Sequence, residues 1–277
     1  MIKPLIVAVA VLLLLPNIPG IHLAATPALY NGKEKFSPQL SFINSIDKLE
    51  KFVDAAATSK NISFQSLEYA ELLDNTIAFR FYESYSCKTL QQDWITVLTD
   101  KFTGTHLSSL ISPNDILKHP NAAAVQQNII MMEILKRKNL AFRNIYIDGQ
   151  KAMEIQIAGS WYFFNVGKEP ALKGYERISG NQGIYARNLK GYYGPAIQND
   201  PTTLPQQMLS VKRGSINASP LTSLSLLQNI TAILSKTAWA FCLLLLWVVR
   251  KRAFKMYAIR PKGKYIYMYP AQPVFNA

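Results

Sequence analysis

At 277 residues, with 49% hydrophobic side chains and 17% charged ones, the chain is long enough for one or two globular domains and too apolar for a disordered polycation. Its two cysteines exclude a disulfide scaffold and a paired-cysteine zinc motif. The formal charge of +13 is concentrated at one end: seven basic residues and no acidic one follow Val249, so the charge without them is +6. No basic stripe interleaved with aromatics runs through the middle of the chain, and nucleic acid is not an expected partner.

The predicted elements begin with Lys3 and the apolar run Leu5 to Leu15, closed by Pro16 and followed by the small-residue site Ala25-Thr26-Pro27-Ala28. Residues 1–28 therefore read as a secretory signal peptide. Leu5 to Ala25 is also about long enough to remain as an N-terminal anchor, although Pro16, Pro19, Gly20 and His22 weaken a spanning helix. Ile46 to Ala57 has helical periodicity, Ile62 to Leu73 is mixed, Thr76 to Tyr82 alternates as a strand would, and Gln91 to Phe102 is again helical.

Ala124 to Lys138 reads as a helix. It is followed by Asn139-Leu140-Ala141-Phe142-Arg143, then by an alternating strand from Asn144 to Asp148. Gln150-Lys151-Ala152-Met153-Glu154-Ile155 forms a second strand, Gly159-Ser160 a turn, and Trp161-Tyr162-Phe163-Phe164-Asn165 a third strand. This order resembles the core of the transglutaminase-like branch of the papain-like fold: a nucleophilic Cys opening a helix, a Gly-Ile-x-x-Arg turn, and strands bearing His and Asp. The resemblance spans roughly residues 64–170. Its lead-in, Ser66 to Asp74, Phe81 to Cys87 and Trp94, is similar to small bacterial members associated with the cell envelope.

The resemblance implies an α+β fold, with the helix packed on an antiparallel sheet, and it also implies that the chemistry is gone. Counting back from Arg143 puts the nucleophile position at Ala124, while Gln150 stands in the place of His and Asn165 in that of Asp. A helix N-terminus and an imidazolium depress a thiol pKa to give the attacking thiolate, whereas alanine has nothing to activate. The histidine is needed as base and then acid, and glutamine exchanges no proton near neutral pH. Asn can serve as orienter in papain-like enzymes, but without a base it orients nothing. Arg143, Glu154 and Trp161 persist, and Glu154 is expected to pair with a Lys or Arg.

The expectation is a pseudoenzyme with a binding or assembly role and a protein or glycan partner, which the resemblance to envelope-associated members places in envelope polysaccharide production or export. It would need no cofactor and no metal. Two other readings stay open. Cys87 with His106 or His119 could form a relocated cysteine-hydrolase pair, or the chain could be a purely structural subunit of a membrane complex. His22, His106 and His119 are isolated in sequence, which does not suggest a metal site.

These elements place the domain at residues 29–198, before a Pro-, Ser-, Thr- and Gln-rich linker at 199–229. Gly180 to Gly194 reads as loops or a hairpin. Residues 230–249 then form a predicted transmembrane helix. Its ten Leu, Ile, Phe and Val residues favour insertion by about 3 to 6 kcal/mol, against a cost of about 2.5 to 3.5 for Lys236. Lys236 lies about 9 Å from the start of the span, close enough to snorkel. Arg250-Lys251-Arg252 orients the span with the tail, residues 250–277, in the cytoplasm and the central domain outside. The tail suits anionic headgroups, and its alternating Tyr265, Tyr267 and Tyr269 read as interfacial or disordered.

Overall fold

The computed structural model describes residues 2–18, 30, 32, 36–147, 150–166, 211–218 and 222–258. The expectations for Gly180 to Gly194 and for Tyr265, Tyr267 and Tyr269 fall outside them. The chain divides into two compact units, His22–Ala232 and the pair of segments Met1–Ile21 and Ile233–Ala277.

The larger unit is α+β. Helix α2 (Ile46–Ser59) starts at Ser45, whose hydroxyl accepts from Lys48 N at 3.3 Å, and it buries Ile46, Leu49, Val53 and Ala57 along one stripe. Helix α3 (Leu67–Arg80) starts in the same way at Ser66, which accepts from Tyr69 N. It absorbs Thr76 to Arg80, so the strand expected at Thr76 to Tyr82 is instead the end of a helix. The reason is long-range burial: Tyr69, Ala70, Leu73, Ile77 and Arg80 share a helical face, and the Thr76 hydroxyl donates back to Leu72 O at 2.8 Å.

Arg80, 2% exposed, ties α3 to its neighbours by donating from Nε to Ile43 O at 3.0 Å and from Nη2 to Leu117 O at 2.9 Å. Those carbonyls lie at the C-terminal ends of a short 3-10 turn (Pro38–Phe42) and of helix α5 (Pro113–Leu117), where a cation is favoured.

Helix α4 (Leu90–Thr103) opens with a Thr89–Gln92 capping box and closes at Gly104, which takes the left-handed φ of +66° that the cap needs. Asp93 interrupts its first turn with a non-helical backbone. Helix α6 (Ala124–Arg137) then leads into strands β1 (Phe142–Ile147), β2 (Gln150–Ile157) and β3 (Ser160–Phe164). Ala158 and Gly159, both with positive φ, make the two-residue turn between β2 and β3.

The four-stranded sheet is antiparallel in the order β3-β2-β1-β4. Strand β4 (Val211–Ile216) lies within the segment read from sequence as a linker, yet it pairs along β1, with Arg143 opposite Ile216. Its residues Lys212 to Ile216 are all exposed, so no burial pattern announces it. Phe142, Met153, Ile155 and Phe164 of the sheet join Ile130, Ile134 and Leu135 of α6 and the apolar stripes of α2 and α3 in one core.

The smaller unit holds helix α1 (Ile2–Leu14) and most of helix α7 (Thr222–Ala258). Helix α7 starts eight residues before the predicted span and continues past it. Leu224–Lys251 is long and apolar enough to cross a membrane, its most apolar 18-residue stretch having a mean hydropathy of 2.0. Asn17 donates to Leu13 O at 3.1 Å and to Ser235 O at 3.4 Å, linking the end of the α1 segment to α7.

Candidate binding cleft

The sequence places an alanine where α6 begins, and the helix does begin there, with Ala123 as a cap lacking any side-chain bond of its own. The missing cap is supplied from inside the helix. Gln126, 2% exposed, accepts through Oε1 from Ala123 N at 3.2 Å and Ser86 N at 2.9 Å, and donates through Nε2 to Ser86 O and Leu110 O, both at 2.8 Å. One side chain thereby fixes the start of α6 against two loops. Asn128 acts likewise towards the sheet, accepting from Val166 N at 3.1 Å and donating to Asn165 Oδ1 at 3.4 Å.

These bonds frame a cleft of about 370 Å³, lined on the α6 side by Ala124, Val125, Gln126 and Ile129 and on the sheet side by Lys151 and Asn165. Tyr85 and a wall from Thr105 to Ile111 face them, and Leu224 of α7 completes the lining. Asp100 holds that wall in place by accepting from Leu107 N at 2.5 Å, from Ser108 N at 2.7 Å and from the Ser108 hydroxyl. The His106 ring stacks on Tyr85 with centroids 4.0 Å apart and planes at 15°, and its φ is +58°.

The structure therefore brings Ala124 and Asn165 to one cleft. Gln150 is the first residue of β2, paired with Ile147, and its side chain lies outside the described residues; the next residue, Lys151, lines the cleft. Arg143, Glu154 and Trp161 also converge. Arg143 Nε meets Glu154 Oε2 at 2.5 Å and its guanidinium lies 3.9 Å from the Trp161 ring centroid, with Arg213 Nε 3.5 Å from the same carboxylate oxygen. Glu154 is fully buried, and the ion pair gives it a structural partner.

Of the alternative set, His106 lines the cleft, while Cys87 and His119 do not. Cys87 bridges Ser109 through the backbone, and its sulfur lies 3.9 Å from Tyr85 O. Burial pushes its thiol above the ordinary cysteine range, opposite to the thiolate that attack requires. His119 is held below its usual pKa by burial, with Asp115 opposing that shift. Among the described residues, no group of three His, Cys, Asp or Glu could hold a metal ion.

His106 was a candidate from the sequence, and Tyr85 and Lys151 lay in segments of the resemblance without being singled out, whereas Leu224 and the rest of the Thr105–Ile111 wall carried no mark. A signal that could have found the cleft is the run of amides Gln126-Gln127-Asn128 inside an otherwise apolar helix, all three of which are buried. The chain matches no protein-family model, no curated protein and no solved structure.

Proposed function

We propose that the chain is a membrane-tethered, degenerate transglutaminase-like module with a papain-like core, and that it holds a peptide, a glycan or a partner protein of the cell envelope in this cleft without turning it over. The observation that carries the reading is the meeting of Ala124 and Asn165 in a single cleft. That cleft has the concavity and the few convergent polar groups of a binding site, and it offers no nucleophile at the helix start. Arg250 and Lys251 support an orientation with the cleft-bearing unit outside the cytoplasm.

The test is a titration of the purified full chain, in lipid nanodiscs, against panels of envelope oligosaccharides and short peptides, with products followed by mass spectrometry. Binding without product is expected, and Ala124→Trp should weaken it by more than tenfold while leaving the melting transition in place. Binding indifferent to Ala124→Trp, or none at all, would leave only the structural-subunit reading. Product formation abolished by Cys87→Ser would establish the hydrolase reading instead.

A further inference from the structure

The cleft wall is clamped from two sides. On one side Asp100 binds the amides of Leu107 and Ser108. On the other, Gln228 of α7, 3% exposed, donates from Nε2 to Leu107 O and to Ser109 O, both at 2.8 Å. One turn further along α7, the Thr231 hydroxyl donates to Asp93 Oδ2 at 2.6 Å. Asp93 is fully buried at the kink of α4, where it also accepts from Thr96 N at 3.3 Å and meets Lys88 Nζ at 3.4 Å. Leu224, one turn before Gln228, lines the cleft itself.

These residues lie at the start of a continuous 37-residue helix whose later part is the candidate span. Leu224–Lys251 has 28 residues, about 42 Å at 1.5 Å per residue, whereas a bilayer core of about 30 Å needs about 20. About eight residues are surplus, enough to let Leu224 to Thr231 serve the cleft while the remainder spans. An apolar membrane helix has no need of a buried glutamine and a threonine reaching backbone carbonyls and a buried carboxylate. Those bonds have a purpose in holding the wall.

We infer that the first turns of α7 are a latch on the cleft, so that opening of the Thr105–Ile111 wall to a ligand and release of Gln228 and Thr231 from their partners are one event. The inference rests on the cleft being the binding site. By linkage, a ligand that spreads the wall would loosen the start of the membrane helix, and displacement of that helix would in turn alter the affinity of the cleft. The two-state element is the wall, pinned by Asp100 in one arrangement and by α7 as well in the other.

The test places a reporter thiol in the cleft, Ala124→Cys, in a full-length Cys87→Ser/Cys242→Ser background in nanodiscs without ligand. Its iodoacetamide alkylation rate is compared with that of a second reporter on the surface, Ser59→Cys. Gln228→Leu with Thr231→Val removes three hydrogen bonds at nearly constant volume and should speed reaction at position 124 by at least about tenfold while leaving position 59 unchanged. Thr231→Ser, which keeps the hydroxyl, should leave both rates as they were.

An unchanged rate at position 124 in the double variant would overturn the latch. If the double variant loses its cooperative melt, Thr231→Val alone carries the comparison with the same two outcomes. Because no ligand is present, failure here is separate from failure of the binding titration, in which Ala124→Trp is read.

Discussion

The two ends of helix α6 are held in opposite ways. At the N-terminal end, buried amide side chains reach backbone groups of distant loops, and Gln126 alone makes four bonds with partners no longer than 3.2 Å. At the C-terminal end, Arg137 and Lys138 reach Asp47, Glu50, Asp54 and Glu133 through a partly exposed charge network between α6 and α2. Neutral buried bonds have fixed geometry and leave a costly orphan when broken, whereas exposed ion pairs are adaptable, screened and individually weak. The end at which the cleft opens is thus the end built for a single geometry.

The strongest way to break this comparison is Gln126→Leu. It strands Ser86 N, Leu110 O and Ala123 N and leaves Ser86 O only its bond from Leu110 N, and it is expected to cost about 3 to 5 kcal/mol in urea unfolding of the full chain, well above the ~1 kcal/mol of an average substitution. A loss below about 1 kcal/mol would mean that water or a neighbouring side chain replaces the amide, and that the N-terminal end is no more rigid than the other. Arg143→Met probes the sheet beside it. Among the described residues Glu154 would keep only Arg213 at 3.5 Å for its buried carboxylate, and a loss of about 3 kcal/mol is expected, as for breaking a buried pair. Glu154→Gln added to Arg143→Met should recover part of that loss, because the neutral amide carries no uncompensated charge.

At the other end, Arg137→Ala removes three pairs at once yet should cost only about 1 kcal/mol, since the Arg137 side chain is about one-third exposed and each such pair contributes about 0.2 to 1. The sharper signature is salt. The difference between wild type and Arg137→Ala should shrink as ionic strength rises towards 1 M, while that for Gln126→Leu should not. Equal salt sensitivity of the two variants would erase the distinction.

The contrast also explains what could be read beforehand. Helix α6 and the β1 to β3 meander were legible because helical spacing, a glycine-bearing turn and period-two strands follow one another without interruption, although the turn expected at Gly159-Ser160 lies one residue earlier, at Ala158-Gly159. Thr76 to Tyr82 was misread because its local alternation mimics a strand, while the deciding contacts come from Ser66 ten residues earlier and from carbonyls at Ile43 and Leu117. Strand β4 escaped because an exposed edge strand declares itself only by pairing. In α7, Gln228 fell in the segment read as linker and Thr231 inside the predicted span, and neither stood out. Their partners, 119 and 138 residues away for Ser109 and Asp93, were not visible either.

The smallest expected effect is a pH dependence at the N-terminal end, carried by His119, five residues before Ala124. Burial favours the neutral imidazole in the folded chain, so the folded pKa lies below the unfolded value of about 6.5. With a depressed folded pKa, the unfolded chain binds more protons in the interval between the two values, and stability rises with pH there. The contribution is fully present above about pH 6.5 and is lost as pH falls through the folded pKa. Asp115, itself held below the usual carboxylate range chiefly by its hydrogen bond from Lys118, works against the shift, which keeps the effect small. Unfolding of wild type and His119→Gln should therefore run parallel from pH 7 to 8 and diverge below about pH 6.5, the wild type falling more steeply. Parallel curves down to pH 5 would mean that the protonated ring is as well accommodated in the fold as outside it, and the N-terminal end of α6 would then differ from the C-terminal end in geometry alone.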